Sequence, residues 1–169
     1  AGYQNHLCAK LHLSPQRKRY GFDSMDWADS PRPVGIRSDY DRFLEREGLH
    51  APRVGLSNGM NVNGYPARPY HLDERYHFTN WVTDSAMEFL ERRDPTMPYF
   101  LKVSYLHPHQ PLTPPACYWD RYINADLPEP VVGEWARVFD EPQRGLPVAA
   151  WRIYLPEAQQ RQMQAGYYG

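Results

Sequence analysis

The sequence predicts an α/β fold, in which helices flank a mostly parallel sheet. Two neighbouring segments carry this prediction. The segment PYFLKVSYL, residues 98–106, is almost continuously apolar, which is typical of a strand covered on both faces in a parallel sheet. An amphipathic helical pattern over residues 79–95 comes directly before it. A helix that leads into such a strand is half of a β-α-β unit, so α/β is the class expected.

The first elements are a strand and a short helix. HLCAKLHL, residues 6–13, predicts a strand because it is mainly apolar and is followed by the basic loop SPQRKRYG. SDYDRFLEREG, residues 38–48, predicts a helix that Ser38 caps and Gly48 ends. The apolar face of that helix comprises Tyr40, Phe43 and Leu44.

The helical pattern over residues 79–95 is the most regular in the chain. Apolar residues recur there at intervals of three and four and form one stripe. The stripe consists of Phe78, Trp81, Val82, Ala86, Phe89 and Leu90. Glu88 and Arg92 are spaced for an i, i+4 ion pair, and Pro95 is expected to end the helix.

Two segments lack regular periodicity. Residues 49–72 mix glycine, asparagine, proline and arginine, which predicts a long surface loop of the kind that often lines binding sites. Beyond Pro115 lies a stretch rich in proline and tryptophan. The pattern LPEAQQRQMQAGYY, residues 155–168, then predicts a last helix with Pro156 in its first turn.

Composition narrows the class of protein. The 169 residues are enough for one domain, and a formal net charge of −1 lacks the basic excess of a nucleic-acid binder. The sequence contains no run of about 18 apolar residues and therefore predicts no membrane-spanning helix. The two cysteines, Cys8 and Cys117, fit no metal-binding pair spacing and allow at most one disulfide. Burial of Cys8 as a structural thiol is the preferred interpretation.

Lys10 and His12 form the first candidate site. Residues i and i+2 of a regular strand point to the same face, so an ammonium group and an imidazole would lie side by side. Such a pair suits an anionic group. Arg17, Lys18 and Arg19 add positive charge just downstream. The alternative is a solvated strand end without a ligand.

His107 and His109 form the second candidate site. They follow the strand predicted at residues 98–106, and open parallel sheets bind ligands beyond the carboxyl ends of their strands. Three interpretations stay open. The two histidines could be an H-x-H metal pair that needs another ligand, a catalytic acid or base beside a structural histidine, or exposed side chains on a proline turn.

These segments together resemble the type I sulfatases of the alkaline-phosphatase-like superfamily. AGYQNHLCAKLHLSP, followed by YGFD, resembles the family pattern A-G-Y-x-T-x-x-x-G-K-x-H-L/F with a later G-F-D. PYFLKVSYLHPHQPLTPP resembles P-F-F-L-x-V-S-F-x-x-P-H-x-P-x-x-x-P. The resemblance runs from the first residue to the last and is weakest at Val54 to Tyr70 and Val132 to Ile153.

The resemblance implies a fold and a set of site residues. Residues 1–169 would be an internal portion of one sulfatase catalytic domain, incomplete at both ends, within an alkaline-phosphatase-like sandwich. Lys10 would contact the sulfate and the aldehyde-hydrate nucleophile. His12 would hydrogen-bond that nucleophile and help to collapse the covalent intermediate. His109 would assist departure of the leaving group at the bridging ester oxygen. His107 falls on a variable position and is a further candidate substrate contact.

The chain also departs from the family pattern. The family nucleophile is a formylglycine made from the first residue of C/S-x-P-x-R, but Ala9-Lys10-Leu11 follow Cys8 and Tyr118-Trp119-Asp120 follow Cys117. The Ca²⁺ ligands of the family also lie in segments outside this chain. Ala9 stands where the family usually has glycine. We therefore expect this chain to form one wall of an active site whose substrate is a sulfated small molecule or glycan. We expect the chain to be inactive alone.

Three other functions stay open from the sequence. A phosphonate or phosphodiester hydrolase of the same superfamily would share the architecture and differ in its nucleophile segment. A non-catalytic carbohydrate-binding module is suggested by the loops rich in aromatic residues and proline. An H-x-H metalloprotein would bind a transition metal through His107 and His109.

Overall fold

The computed structural model describes residues 2–29, 36–49, 60, 66–131, 133–135 and 155–169. The chain forms two compact units, one of Ala1–Leu56 and Leu72–His107 and the other of Ser57–His71 and Pro108–Gly169. The prediction of one catalytic domain over residues 1–169 stays a prediction.

The first unit is an α/β layer built on a parallel sheet. Its elements are β1 (Gln4–Ala9), β2 (Ser24–Trp27), α1 (Asp39–Arg46), a short 3₁₀ helix (Glu74–Tyr76), α2 (Phe78–Arg92) and β3 (Tyr99–Ser104). The strands lie in the order β2-β1-β3, and β1 is parallel to both neighbours. The predicted α/β class and parallel sheet are thus confirmed.

The strand β1 is the buried centre of this sheet. Leu7, Cys8 and Ala9 have no exposed surface. In β3, by contrast, Tyr99 is 42% and Phe100 54% exposed, so the prediction that both faces of this strand are covered is wrong for the described residues. The physical reason is that an apolar run indicates a strand suited to burial but does not reveal which elements lie over its two faces.

Helix α1 begins and ends as predicted. The Ser38 hydroxyl accepts a hydrogen bond from the Asp41 N–H at 3.0 Å, and the Asp41 carboxylate accepts one from the Ser38 N–H at 2.8 Å. This reciprocal pair is a capping box. Gly48 has a φ of +80°, a left-handed conformation that glycine adopts without strain. The predicted N-cap and C-terminal stop are therefore confirmed.

Helix α2 packs its apolar stripe inward and keeps its charged residues outside. Its buried residues are Phe78, Trp81, Val82, Ser85 and Ala86. Glu88 and Arg92 form the predicted i, i+4 ion pair at 3.3 Å. The helix ends at Arg92, before Pro95. The Tyr40 hydroxyl of α1 donates a 2.6 Å hydrogen bond to the Tyr76 carbonyl, which ties α1 to the segment leading into α2.

The second unit contains α3 (Ala116–Tyr122) and α4 (Glu157–Tyr168). Its core comprises Ala67, Leu112, Trp119 and Ala165. A side chain at Gly166 would lie 2.7 Å from the Ala67 Cβ and 2.9 Å from the Leu112 Cβ, so glycine permits the close approach of α4. The predicted last helix is confirmed, whereas α3 was not predicted. Most of the predicted loop at residues 49–72 lies outside the described residues.

The cysteines lie in different environments. Cys8 is a buried thiol and Cys117 an exposed one, so the disulfide that the sequence allowed does not join them. Burial, and secondarily the Asp26 carboxylate, raise the pKa of Cys8 from its usual 9.0 to about 12. The predicted burial of Cys8 is confirmed. In the part of the chain that the structure describes, no helix has the length and apolar character needed to cross a membrane.

Candidate functional site

The candidate site lies where the parallel strands end. Because β1 is parallel to β2 and β3, the carboxyl ends of all three lie at one edge of the sheet. Backbone hydrogen bonds continue past the strand ends. The Lys10 N–H donates to the Ser104 carbonyl at 3.3 Å, and the Ala28 N–H donates to the Ala9 carbonyl at 3.2 Å. The residues that follow the strands here include Lys10, His12, Asp29 and His107.

The backbone leaves the sheet earlier than the sequence predicted. Strand β1 ends at Ala9 instead of extending to Leu13. Ala9 has a φ of +71° and His12 a φ of +57°, both in the left-handed region. The strand alternation that placed Lys10 and His12 on one face is therefore wrong. A positive φ is the conformation that favours glycine, which accounts for the glycine of the family pattern at the position of Ala9.

Asp29 holds His12 by two contacts. The backbone N–H of His12 donates to one Asp29 carboxylate oxygen at 2.6 Å, and the ring Nδ1 of His12 lies 3.3 Å from the other oxygen. The Asp29 side chain is 2% exposed, whereas the His12 side chain is 47% exposed. A buried carboxylate thus orients a solvent-accessible imidazole. Asp29 was not predicted as a site residue because it follows β2, a strand of four residues that the sequence did not indicate.

Lys10 differs from the basic residues downstream. Its side chain is half-buried, and it forms no ion pair with any residue that the structure describes. Arg17 is paired with Asp39 at 2.7 Å, and Arg19 donates to the Asp23 carbonyl. The predicted basic patch is therefore largely engaged in holding the loop, because these guanidinium groups bind local oxygens. Lys10 is therefore a better candidate than these arginines for binding an anionic ligand.

His107 follows β3 and stacks on a second imidazole. The His107 and His77 rings lie 5.0 Å apart between centroids, at 26°. His77 is buried and caps α2, with its Nδ1 accepting a 3.3 Å hydrogen bond from the Thr79 N–H. The position of His107 is thus supported by the start of a helix. His77 was not predicted as a site residue because it lies just before the apolar stripe that indicated the helix.

His109 belongs to the second unit and contacts the residue that follows it there. Its side chain is half-buried, and its Nδ1 lies 2.8 Å from the Gln110 carbonyl. A carbonyl oxygen can only accept, so Nδ1 carries a proton. Pro111 and Leu112, just after it, are buried. His107 and His109 lie in a turn and are both half-buried, so all three interpretations of the pair stay predictions.

The donor sets restrict which metals the described residues can hold. Neither His107 nor His109 belongs to a group of three or more potential ligands within the described part of the chain. The one group found there combines an imidazole, a thiol and a single carboxylate. Calcium takes six to eight oxygen ligands, so these residues do not fit Ca²⁺. The expectation that any Ca²⁺ ligands lie elsewhere stays a prediction.

Known proteins show similarity to this chain, one of them along its whole length. No protein-family model matches it. It is 34% identical to an arylsulfatase of Clostridium perfringens over 182 residues, which cover 100% of the chain and 37% of that protein. It is 30% identical to the multifunctional alkaline phosphatase superfamily protein PehA of Trinickia caryophylli, covering 64% of the chain and 23% of that protein. A choline-sulfatase of Rhizobium meliloti is 26% identical over 79% of the chain and 26% of its own length. The chain thus spans less than two fifths of each relative.

Proposed function

The chain is homologous to a segment of the sulfatases of the alkaline phosphatase superfamily, and we propose that it holds the sulfuryl group of a sulfate ester through Lys10 and His12. The observation that carries this proposal is the pairing of His12 with the buried Asp29 at the carboxyl edge of the sheet. The substrate class would be a sulfated small molecule or glycan.

The chemistry needs positive charge and oriented donors at the sulfuryl group. Cleavage of a sulfate ester develops negative charge on the sulfuryl oxygens and on the leaving oxygen. Lys10, which forms no ion pair with the described residues, would offset the charge on the sulfuryl oxygens. The imidazole of His12, oriented by Asp29, would add a hydrogen bond in a fixed direction. Fixed donors act without reorganisation during the reaction.

His109 would act on the leaving oxygen. Its Nδ1 already donates to the Gln110 carbonyl, so the second proton of an imidazolium would sit on Nε2. From Nε2 that proton can pass to the bridging ester oxygen as the bond to sulfur breaks. The role is assigned through the resemblance of HPHQP to the family P-H-x-P. His107, stacked on His77, stays a candidate substrate contact.

The segment would need groups from elsewhere in the protein. No C/S-x-P-x-R motif occurs in the sequence, and the described residues do not fit Ca²⁺. We therefore expect residues 1–169 alone to be inactive, so activity has to be measured on the whole protein.

A comparison of esters with one leaving group tests the proposed reaction. The whole protein would be assayed with 4-nitrophenyl sulfate, bis(4-nitrophenyl) phosphate and a 4-nitrophenyl phosphonate. We expect the highest kcat/KM for the sulfate. A preference for the phosphorus esters would instead support the second candidate, a phosphodiester or phosphonate hydrolase of the alkaline phosphatase superfamily to which PehA also belongs. Binding of a sulfated sugar without turnover of any ester would point to a non-catalytic module.

Asp29 should act as a positioning residue for His12. In Asp29→Asn the amide oxygen can still accept from the His12 N–H, but the ring contact loses its charge. Hydrogen bonds to charged groups contribute about 1.5–3 kcal/mol, so we expect kcat to fall about ten- to hundredfold. Asp84→Asn, an exposed change on α2, serves as the matched control. An unchanged kcat per folded molecule of Asp29→Asn would contradict this role.

A further inference from the structure

A second cluster of reactive side chains lies within the strands, separate from Lys10 and His12. His6 and Cys8 are two residues apart on β1 and therefore share a face, and Cys8 pairs in register with Asp26 of β2. One ligand atom from each of these three residues lies within 4.8 Å of the other two. His6 is 4% exposed and Cys8 is 0% exposed. Two members of the cluster are thus buried, and all three stand on strands of the sheet.

Neighbouring side chains hold the imidazole of His6, but one of its ring nitrogens lacks a hydrogen bond to the described residues. Its Nδ1 lies 2.7 Å from the Ser24 hydroxyl, and its ring stacks on Phe89 at 4.6 Å with an interplanar angle of 4°. The Nε2 is buried and forms no hydrogen bond with any described residue, although an Asp26 oxygen lies 3.3 Å away. A buried polar atom without a hydrogen bond costs about 1–3 kcal/mol and calls for a physical explanation.

We propose that His6 Nε2, the Cys8 thiolate and the Asp26 carboxylate bind a divalent cation of the zinc type. Nitrogen, sulfur and oxygen donors of these three kinds are the ligands that Zn²⁺ takes in proteins. Metal–ligand distances of about 2.0–2.3 Å place tetrahedral ligands roughly 3.3–3.8 Å apart, and the His6–Asp26 pair already lies at 3.3 Å. The hydrogen bond between His6 Nδ1 and Ser24 would fix the ring, as outer partners of metal ligands do.

Access and charge also suit a cation. The Asp26 side chain is 33% exposed, so a cation would reach the cluster from solvent and water would serve as its fourth ligand. Without a cation, the Asp26 carboxylate and burial together keep Cys8 protonated. Binding would form the metal–sulfur bond as the thiol proton leaves to solvent. The cation would then offset the two negative charges and satisfy the His6 nitrogen. This site does not depend on the sulfatase proposal.

Cobalt provides a spectroscopic test on the whole protein. The reduced protein would be titrated with Co²⁺ in excess Ca²⁺, which occupies oxygen-rich sites. We expect a near-ultraviolet thiolate-to-cobalt charge-transfer band that one equivalent of Zn²⁺ abolishes. Cys8→Ser should lose the band, whereas the matched control Cys117→Ser, at the exposed thiol, should keep it. Absence of the band in the wild type, or its persistence in Cys8→Ser, would overturn the proposal.

Two further measurements keep the test decisive if Cys8→Ser does not fold. Changes in outer partners typically lower metal affinity about 10–100-fold, so Ser24→Ala should weaken Zn²⁺ binding by this factor and Asp26→Asn by at least as much. X-ray absorption at the zinc edge of the wild type should show one sulfur neighbour together with an imidazole. Coordination by nitrogen and oxygen alone would refute the site, as would an unaltered zinc affinity in both variants.

Discussion

Replacing His109 by alanine should slow hydrolysis of a sugar or alkyl sulfate by about 10²- to 10⁴-fold, the usual contribution of a positioned proton donor. The physical reason is that a poor leaving group departs as a high-energy alkoxide unless a proton reaches it. A 4-nitrophenolate leaving group is stable without that proton. We therefore expect a much smaller loss on 4-nitrophenyl sulfate, and the measurement is kcat for both esters in the wild type and in His109→Ala.

The exposed His71, in the same structural unit, provides the control for this prediction. His71→Ala should leave both rates near those of the wild type. Equal losses on the two esters in His109→Ala would remove the leaving-group role. His107→Ala should instead change KM more than kcat if His107 contacts the substrate.

Replacing Lys10 by methionine should produce the second large effect. Methionine keeps an unbranched side chain that is one atom shorter and removes the charge, so the sulfuryl oxygens lose a fixed positive partner. Loss of one such electrostatic partner typically costs about 10²–10³ in kcat. We expect this loss with every sulfate ester, because Lys10 acts on the sulfuryl group that all of them share. The dependence on the leaving group thus distinguishes Lys10 from His109.

Lys18 is the matched control for Lys10, since it is exposed in the following loop and lies over the Tyr20 ring at 5.2 Å. Lys18→Met should retain full activity. Inhibition by inorganic sulfate offers an independent measurement, and its inhibition constant should rise in Lys10→Met. A Lys10→Met protein with unchanged kcat and unchanged sulfate inhibition would exclude Lys10 from the site.

The elements that the sequence predicted well are those with local signals. Helix α1 has a side-chain cap at Ser38 and a glycine stop at Gly48, and α2 has a long apolar stripe. The strand β2 and the helix α3 were missed, because SMDW alternates over four residues alone and ACYWDRY is too short for clear periodicity. Their formation depends on tertiary packing, exemplified by the register of β2 against β1.

The candidate site was predicted in part, for a similar reason. Lys10, His12 and His109 stand in segments with a recognisable family pattern, so resemblance could identify them. Asp29 could not be identified in this way, because its contact with His12 exists only once β1 and β2 lie side by side. The strand rule also failed for Lys10 and His12, since the left-handed backbone at Ala9 ends the alternation on which the rule depends.

The central claim is that Lys10 and His12 bind the sulfuryl group, and a crystal structure of the whole protein with inorganic sulfate tests it most directly. The account predicts a sulfate oxygen about 2.7–3.2 Å from the Lys10 Nζ and another at hydrogen-bond distance from the His12 ring, with Asp29 still holding that ring. Sulfate bound at another site, with neither Lys10 nor His12 in contact with it, would contradict the account.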